Sequence, residues 1–161
     1  MEHFVFGKTP IVHIGILVEN IEKTAAAYAD FLKVPVPEIS ITDSYAKSKT
    51  TYRSAPTEGR VRQTNFQIGP NLLVELLEPT KEPSEWRAAL DANGEGFHHI
   101  ALEVENLEDA IAAGQNEGCK LVQSGQWDTG RYVYLDAFET LKLAIEIMAP
   151  RSAEEETENS D

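Results

Sequence analysis

Two histidines and two glutamates recur in this chain at matched positions, and together they form a set that could hold a metal ion. The segment VHIGILVENIEK (12–23) returns as HHIALEVENLED (98–109), which places His13 on His99 at an offset of 86 residues. A second pair, LLVELLEP (72–79) over LAIEIMAP (143–150), places Glu75 on Glu146 at an offset of 71. Each half of the chain therefore opens on a histidine and closes on a glutamate. Neutral imidazole and carboxylate suit a borderline divalent cation, one ion of cobalt, nickel, zinc, manganese or iron, better than calcium. A lone histidine or glutamate on a strand is ordinarily a packed or solvated residue. Symmetric recurrence of both types has no packing explanation, because an apolar sheet face does not benefit from acids.

The elements that must carry these residues are legible from periodicity. Val12, Ile14, Ile16 and Val18 alternate as one face of a strand, and Asn20 offers an N-cap to a helix with Ala25, Tyr28 and Leu32 at helical spacing, stopped by LKVPVP. In the second half Ile100, Leu102 and Val104 form the strand, Asn106 caps the helix, and Gly118 ends it. Further strands are expected over Arg62–Ile68, Leu72–Leu77, Arg131–Asp136 and Leu141–Met148, with a linking helix near Glu85–Ala92 after Pro83. The two offsets differ by 15, so the first half holds about that many extra residues, placed between Ile41 and Arg60. Side chains alternate along a strand. His13, Glu75, His99 and Glu146 all fall opposite the apolar stripe of their strands, and a pseudo-twofold relation between the halves would bring them to one point. His98 shares the parity of Ile100 and Leu102 and is read as structural, or as a neighbour behind the site.

Composition bounds the rest. The chain has 161 residues, 42% of them hydrophobic, enough for one domain with a real core. Its net charge of −13 argues against a nucleic-acid partner, which demands a basic surface. No apolar run is long enough to span a bilayer and the first ten residues lack a secretion signal, so a cytoplasmic protein without a membrane partner is expected. Cys119, the one cysteine, reads as an inert small thiol. His3 falls in a terminus expected to be mobile, and residues 151–161 read as a disordered acidic tail.

The paired halves resemble the vicinal oxygen chelate superfamily of glyoxalase I, methylmalonyl-CoA epimerase, extradiol dioxygenases and bleomycin-binding proteins. VHIGILV, VELLEPT, GEGFHHIALEV and LAIEIMAP resemble its four ligand strands, and ELLEPT and GEGFHHIA are most similar to the epimerase branch. The resemblance implies an α+β fold of two tandem βαβββ modules, about 11–80 and 96–149, forming a curved eight-stranded sheet around a metal-binding cavity within a single domain over 1–150, with the linking helix at about 82–93. It implies His13, Glu75, His99 and Glu146 as ligands and a homodimer as the assembly. Strand Val61–Ile68 departs from the epimerase pattern, since VRQTNFQI offers no acid.

On that resemblance, the expected activity is a metal-dependent isomerase, epimerase or lyase working through an enediolate on a small oxygenated substrate, with CoA-linked and carboxylate-bearing compounds among the candidates. Glu146 or Glu75 would leave the metal to act as base. Tyr132 and Tyr134 lie opposite Val133 and Leu135 and are candidates to line the cavity or pack at its rim. Gln63 and Asn65 are similar candidates, and Trp127 would cover the mouth or serve structurally. Lys47, Lys49, Arg53, Arg60 and Arg62 form a basic stretch that is either solvated or attracts a substrate anion, with Arg53 and Arg62 as substrate contacts. Two alternatives stand beside this: an Fe(II) ring-cleaving dioxygenase, and a non-catalytic small-molecule-binding or resistance protein.

Overall fold

The computed structural model describes residues 6–151; His3 and the acidic tail from residue 152 lie outside the described residues. A short 3₁₀ turn precedes β1 (Ile11–Leu17), followed by α1 (Ile21–Leu32), β2 (Ser40–Ile41), α2 (Tyr45–Ser48), β3 (Thr51–Tyr52) and β4 (Ala55–Pro56). Then come β5 (Val61–Ile68), β6 (Leu72–Pro79), α3 (Glu85–Asn93), β7 (Gly96–Glu103), α4 (Leu107–Asn116), β8 (Lys120–Trp127), β9 (Gly130–Asp136) and β10 (Ala144–Pro150). Among the described residues the strands form one curled mixed sheet of ten rather than the expected eight, the extra pair being the short β3–β4 hairpin, in the order β2-β5-β6-β1-β7-β10-β9-β8-β3-β4.

Apart from β3 and β4, that order reads alike outward from its centre: β1-β6-β5-β2 on one side and β7-β10-β9-β8 on the other. Pairing register follows the sequence offsets. Gly15 lies beside Glu75 on the parallel β1–β6 pair, and Ala101 lies beside Glu146 on the parallel β7–β10 pair. At the antiparallel β1–β7 seam His13 faces Ala101 and Gly15 faces His99.

The expected caps form. Asn20 Oδ1 accepts from Lys23 N at 2.8 Å, and Asn106 Oδ1 from Asp109 N at 3.0 Å. Helix α1 ends on Lys33 in left-handed conformation, two residues before Pro35, which cannot continue it. On the convex face α1 packs its Ile21, Ala25 and Ala29 against Val74, Leu76 and Phe66, while α4 packs Leu107 and Ala110 against Leu102, Val133 and Leu135. Helix α3 lies on the opposite side, with Trp86, Ala89 and Leu90 against Leu17, Leu77 and Tyr134. Each fully buried aliphatic side chain stabilises by about 1.5–3 kcal/mol, so the three clusters hold the sheet's curl from both faces.

One strand boundary is corrected, and two further elements appear that periodicity does not show. The last strand begins at Ala144 rather than Leu141, because the N–H groups of Thr140, Leu141 and Lys142 all donate to Ala137 O and Lys142 takes a positive φ of 67°. Strand β8 has too few apolar residues in alternation to be read from sequence. The extra residues of the first half are also not merely a loop. Thr42 N donates to Val61 O at one edge of the sheet, while Thr51 pairs with Ser124 and Arg53 N donates to Val122 O at the other, so residues 42–53 form a strap between β5 and β8.

Asn106→Ala should lower stability by about 1 kcal/mol through loss of the α4 cap. Urea unfolding checks this: the midpoint should fall at unchanged slope, and an unmoved midpoint contradicts the cap.

Candidate metal centre

His13, Glu75, His99 and Glu146 come from the four adjacent strands β1, β6, β7 and β10, and all four are buried. One ligand atom from each lies within 4.8 Å of every other. His13 Nε2 stands 3.0 Å from His99 Nε2, 3.2 Å from Glu75 Oε2 and 2.9 Å from Glu146 Oε2. His99 Nε2 stands 3.3 Å from Glu146 Oε2 and 3.8 Å from Glu75 Oε2. Ligands at about 2.1 Å from one ion are about 3.0–3.4 Å apart along the edges of an octahedron or tetrahedron, so these separations fit a shared cation. Glu146 Oε2 is buried and faces the two imidazole nitrogens rather than solvent, a second observation in its favour.

Charge points the same way. Burial opposes a proton on His13, but hydrogen bonds and attraction from Glu146 and Glu75 outweigh it and raise its pKa to about 10. Glu146 is also penalised by burial, yet hydrogen bonds to His13 and His99 hold it well below the usual carboxylate range. Two carboxylates against one imidazolium leave a negative cluster in the interior, which a divalent cation neutralises.

Small residues across the seam make room for the imidazoles. A Cβ built on Gly15 would fall within the His99 ring. His13 faces Ala101 in the equivalent relation. The expected parity of His98 is corrected, while it does stand behind the site against His99. Between the pairs Gly15–His99 and Ile16–Phe97, β7 carries one more residue than β1, and that bulge turns His98 out of the Ile100/Leu102 stripe. His98 is 1% exposed, packs edge-on against His99 and lies against Tyr134, with its Nδ1 2.9 Å from His99 Nδ1. Burial lowers its pKa, with Glu85 pulling the other way.

Three of the four candidate ligands, His13, Glu75 and Glu146, line a cavity of about 380 Å³, with His99 buried behind them. Tyr132, Tyr134, Gln63 and Trp127 line it, as do Thr42, Asp43, Ser48 and Thr50 of the strap. Burial pushes the Tyr132 hydroxyl up to about 12, so it stays protonated through neutral pH; it accepts from Gln123 Nε2 at 3.3 Å. Asn65, Arg53 and Arg62 are not brought to the cavity. Asn65 is exposed, and Arg62 is bound to Glu22 and Glu78. Arg53 stacks on Tyr52 at the hairpin turn, and Lys47 pairs with Asp43 and Asp128. Sequence reading missed Trp86, whose Nε1 donates to Tyr134 Oη at 3.1 Å, and the strap residues; no periodicity marks either as facing the site. Cys119 is buried, and desolvation raises its pKa, as an inert thiol requires.

A family profile described as the Glyoxalase/Bleomycin resistance protein/Dioxygenase superfamily matches residues 12–135. Among solved structures, methylmalonyl-CoA epimerase from Mycobacterium tuberculosis shares 18% identity at a TM-score of 0.59, covering 89% of each chain. The Streptomyces coelicolor epimerase in complex with 2-nitronate-propionyl-CoA shares 22% at 0.55, covering 89% of this chain and 99% of that one. A mutant 4-hydroxymandelate synthase from Streptomyces coelicolor shares 13% at 0.57, covering 90% of this chain and 50% of that one. At these identities the likeness is one of fold. A search of curated proteins found no match.

Gly15→Ala, a single added methyl, should displace His99 and leave purified protein without its metal, as should His99→Ala. Metal analysis of protein prepared without chelator checks both, and full loading of Gly15→Ala contradicts the assigned packing.

Proposed function

The chain belongs to the Glyoxalase/Bleomycin resistance protein/Dioxygenase superfamily, and from that premise we propose that it is a metal-dependent isomerase, epimerase or lyase acting on a small substrate with neighbouring oxygens. The observation that carries this is the set of four buried ligand atoms within 4.8 Å of one another, three of them from residues that line the cavity. His13, Glu75, His99 and Glu146 would hold the ion. When bound, a divalent cation supplies positive charge against the negative charge that develops on substrate oxygens as an adjacent C–H proton leaves.

The protein's own residues then divide the work. Glu75 is the favoured base, because its Oε2 stands 3.2 and 3.8 Å from the two histidine nitrogens, whereas Glu146 is held at 2.9 and 3.3 Å. The looser carboxylate is freer to take a proton. Return of that proton to the other face or to the neighbouring carbon gives epimerisation or isomerisation. Tyr132, protonated at neutral pH, is placed to donate a hydrogen bond to a substrate oxygen. Trp86, Trp127 and the strap keep water from the reacting carbon. A cavity of about 380 Å³ accommodates a small acid or the acyl end of a thioester, with any larger carrier outside the strap.

Duplication of a βαβββ module, supported by the mirrored strand order and by registers that repeat at the sequence offsets, accounts for the paired ligands. An Fe(II) dioxygenase is disfavoured because such sites use two histidines and one carboxylate, and a second glutamate occupies a position that oxygen chemistry needs open. A binding protein has no need of the complete ligand set.

Metal-loaded protein should exchange the α-proton of a substrate such as methylmalonyl-CoA or a small α-hydroxycarbonyl with deuterated solvent, without consuming oxygen. Chelation should abolish exchange and metal restore it. Glu75→Gln should lower the rate per bound metal by at least about 100-fold, as loss of a general base does. Mass spectrometry and an oxygen electrode check these outcomes; exchange that survives chelation contradicts the proposal.

A further inference from the structure

His98 and Glu85 stand behind the metal cluster and have no part in the chemistry above. His98 Nδ1 lies 2.9 Å from His99 Nδ1, while His99 Nε2 faces the other ligand atoms. If His99 ligates through Nε2, its proton resides on Nδ1 and must be accepted by His98 Nδ1. His98 then carries its own proton on Nε2. That nitrogen is buried and has no hydrogen-bond partner; the nearest acid oxygen is Glu85 Oε1 at 3.7 Å. A small change in the glutamate rotamer would close the gap, and leaving a buried N–H unpaired is costly.

Glu85 is built for that place. It is the first residue of α3, and its side chain is only 10% exposed. Its backbone N–H donates to Gln123 Oε1 at 2.7 Å, and the helix is capped by Ser84, whose hydroxyl accepts from Arg87 N at 3.0 Å. A carboxylate there is favoured by the helix dipole. The arrangement exists in one half only, since the residue equivalent to His98 at the offset of 86 is Val12, which cannot hydrogen-bond.

We propose that Glu85 and His98 are positioning residues, forming an outer hydrogen-bond chain Glu85–His98–His99 that holds His99 in the tautomer and orientation for ligation through Nε2. The proposal rests on the metal reading above. Partners of this kind commonly contribute about 10–100-fold to metal affinity by orienting the ligand and raising its basicity.

The test is Co(II) affinity, measured by competition with a chromophoric chelator, together with the visible absorption of the bound ion. His98→Leu should bind about 10–100-fold more weakly than wild type and alter the Co(II) spectrum. His98→Asn, whose side-chain oxygen can take the place of Nδ1 as acceptor, should recover most of that loss. Glu85→Gln, which keeps the shape and removes the charge, should weaken binding several-fold while lowering the melting temperature by no more than loss of the helix-dipole attraction explains, and it serves should His98→Leu fail to fold. If His98→Asn binds as weakly as His98→Leu while both are folded, His98 merely fills space and the proposal is overturned. If wild type binds and Glu85→Gln and any folded His98→Leu match it within about twofold, the outer chain alone is overturned. If wild type takes up no Co(II), the metal reading fails and the chain with it.

Discussion

Two imidazoles and two carboxylates share a space less than 5 Å across on the inner face of a sheet whose outer face is apolar. Such a cluster is unfavourable unless its charges are matched, because burial removes the water that would otherwise screen them. Without a cation, His13 takes a proton and partly neutralises the two glutamates, which is why its pKa stands near 10. With a cation, all four groups would serve as ligands. Every other feature near the centre serves to bring these groups together or to keep solvent away.

The β1–β7 seam makes the convergence possible. Each histidine crosses toward a small residue on the other strand, Gly15 for His99 and Ala101 for His13, and each glutamate lies one strand further out beside that same small residue. A curled sheet tilts inward-facing side chains of neighbouring strands toward one another, so four adjacent strands suffice to surround an ion. The apolar clusters under α1 and α4 maintain the curl from outside, and α3 closes one end from within.

Near-symmetry stops at the outer shell and the mouth. Both strands of the seam bulge, at Val12 and at His98, but only the second half places an imidazole there, and it alone adds the acid of Glu85 and the indole of Trp86. The strap belongs to the first half yet is fastened to the second, through Thr51 Oγ1 to Ser124 Oγ at 2.8 Å and Gln126 Nε2 donating to Lys47 O at 3.1 Å. A symmetric centre thus acquires an asymmetric pocket.

The four candidate ligands were legible in the sequence because two constraints are local and repetitive: side chains alternate along a strand with a period of two, and a duplicated pattern shows which positions correspond. Helix caps at Asn20 and Asn106 were legible for the same reason, since a cap depends only on residues three apart. What tertiary structure alone decided depends on pairing between distant strands. A bulge is defined by the count of residues on the opposite strand, so nothing in GFHHIA reveals that His98 leaves its stripe. Arg62 looked available for substrate, but Glu22 and Glu78, 40 and 16 residues away in sequence, capture it outside the cavity. Strand β8 and the strap, polar and without apolar alternation, are ordered by backbone hydrogen bonds to partners that become available only once the sheet has formed.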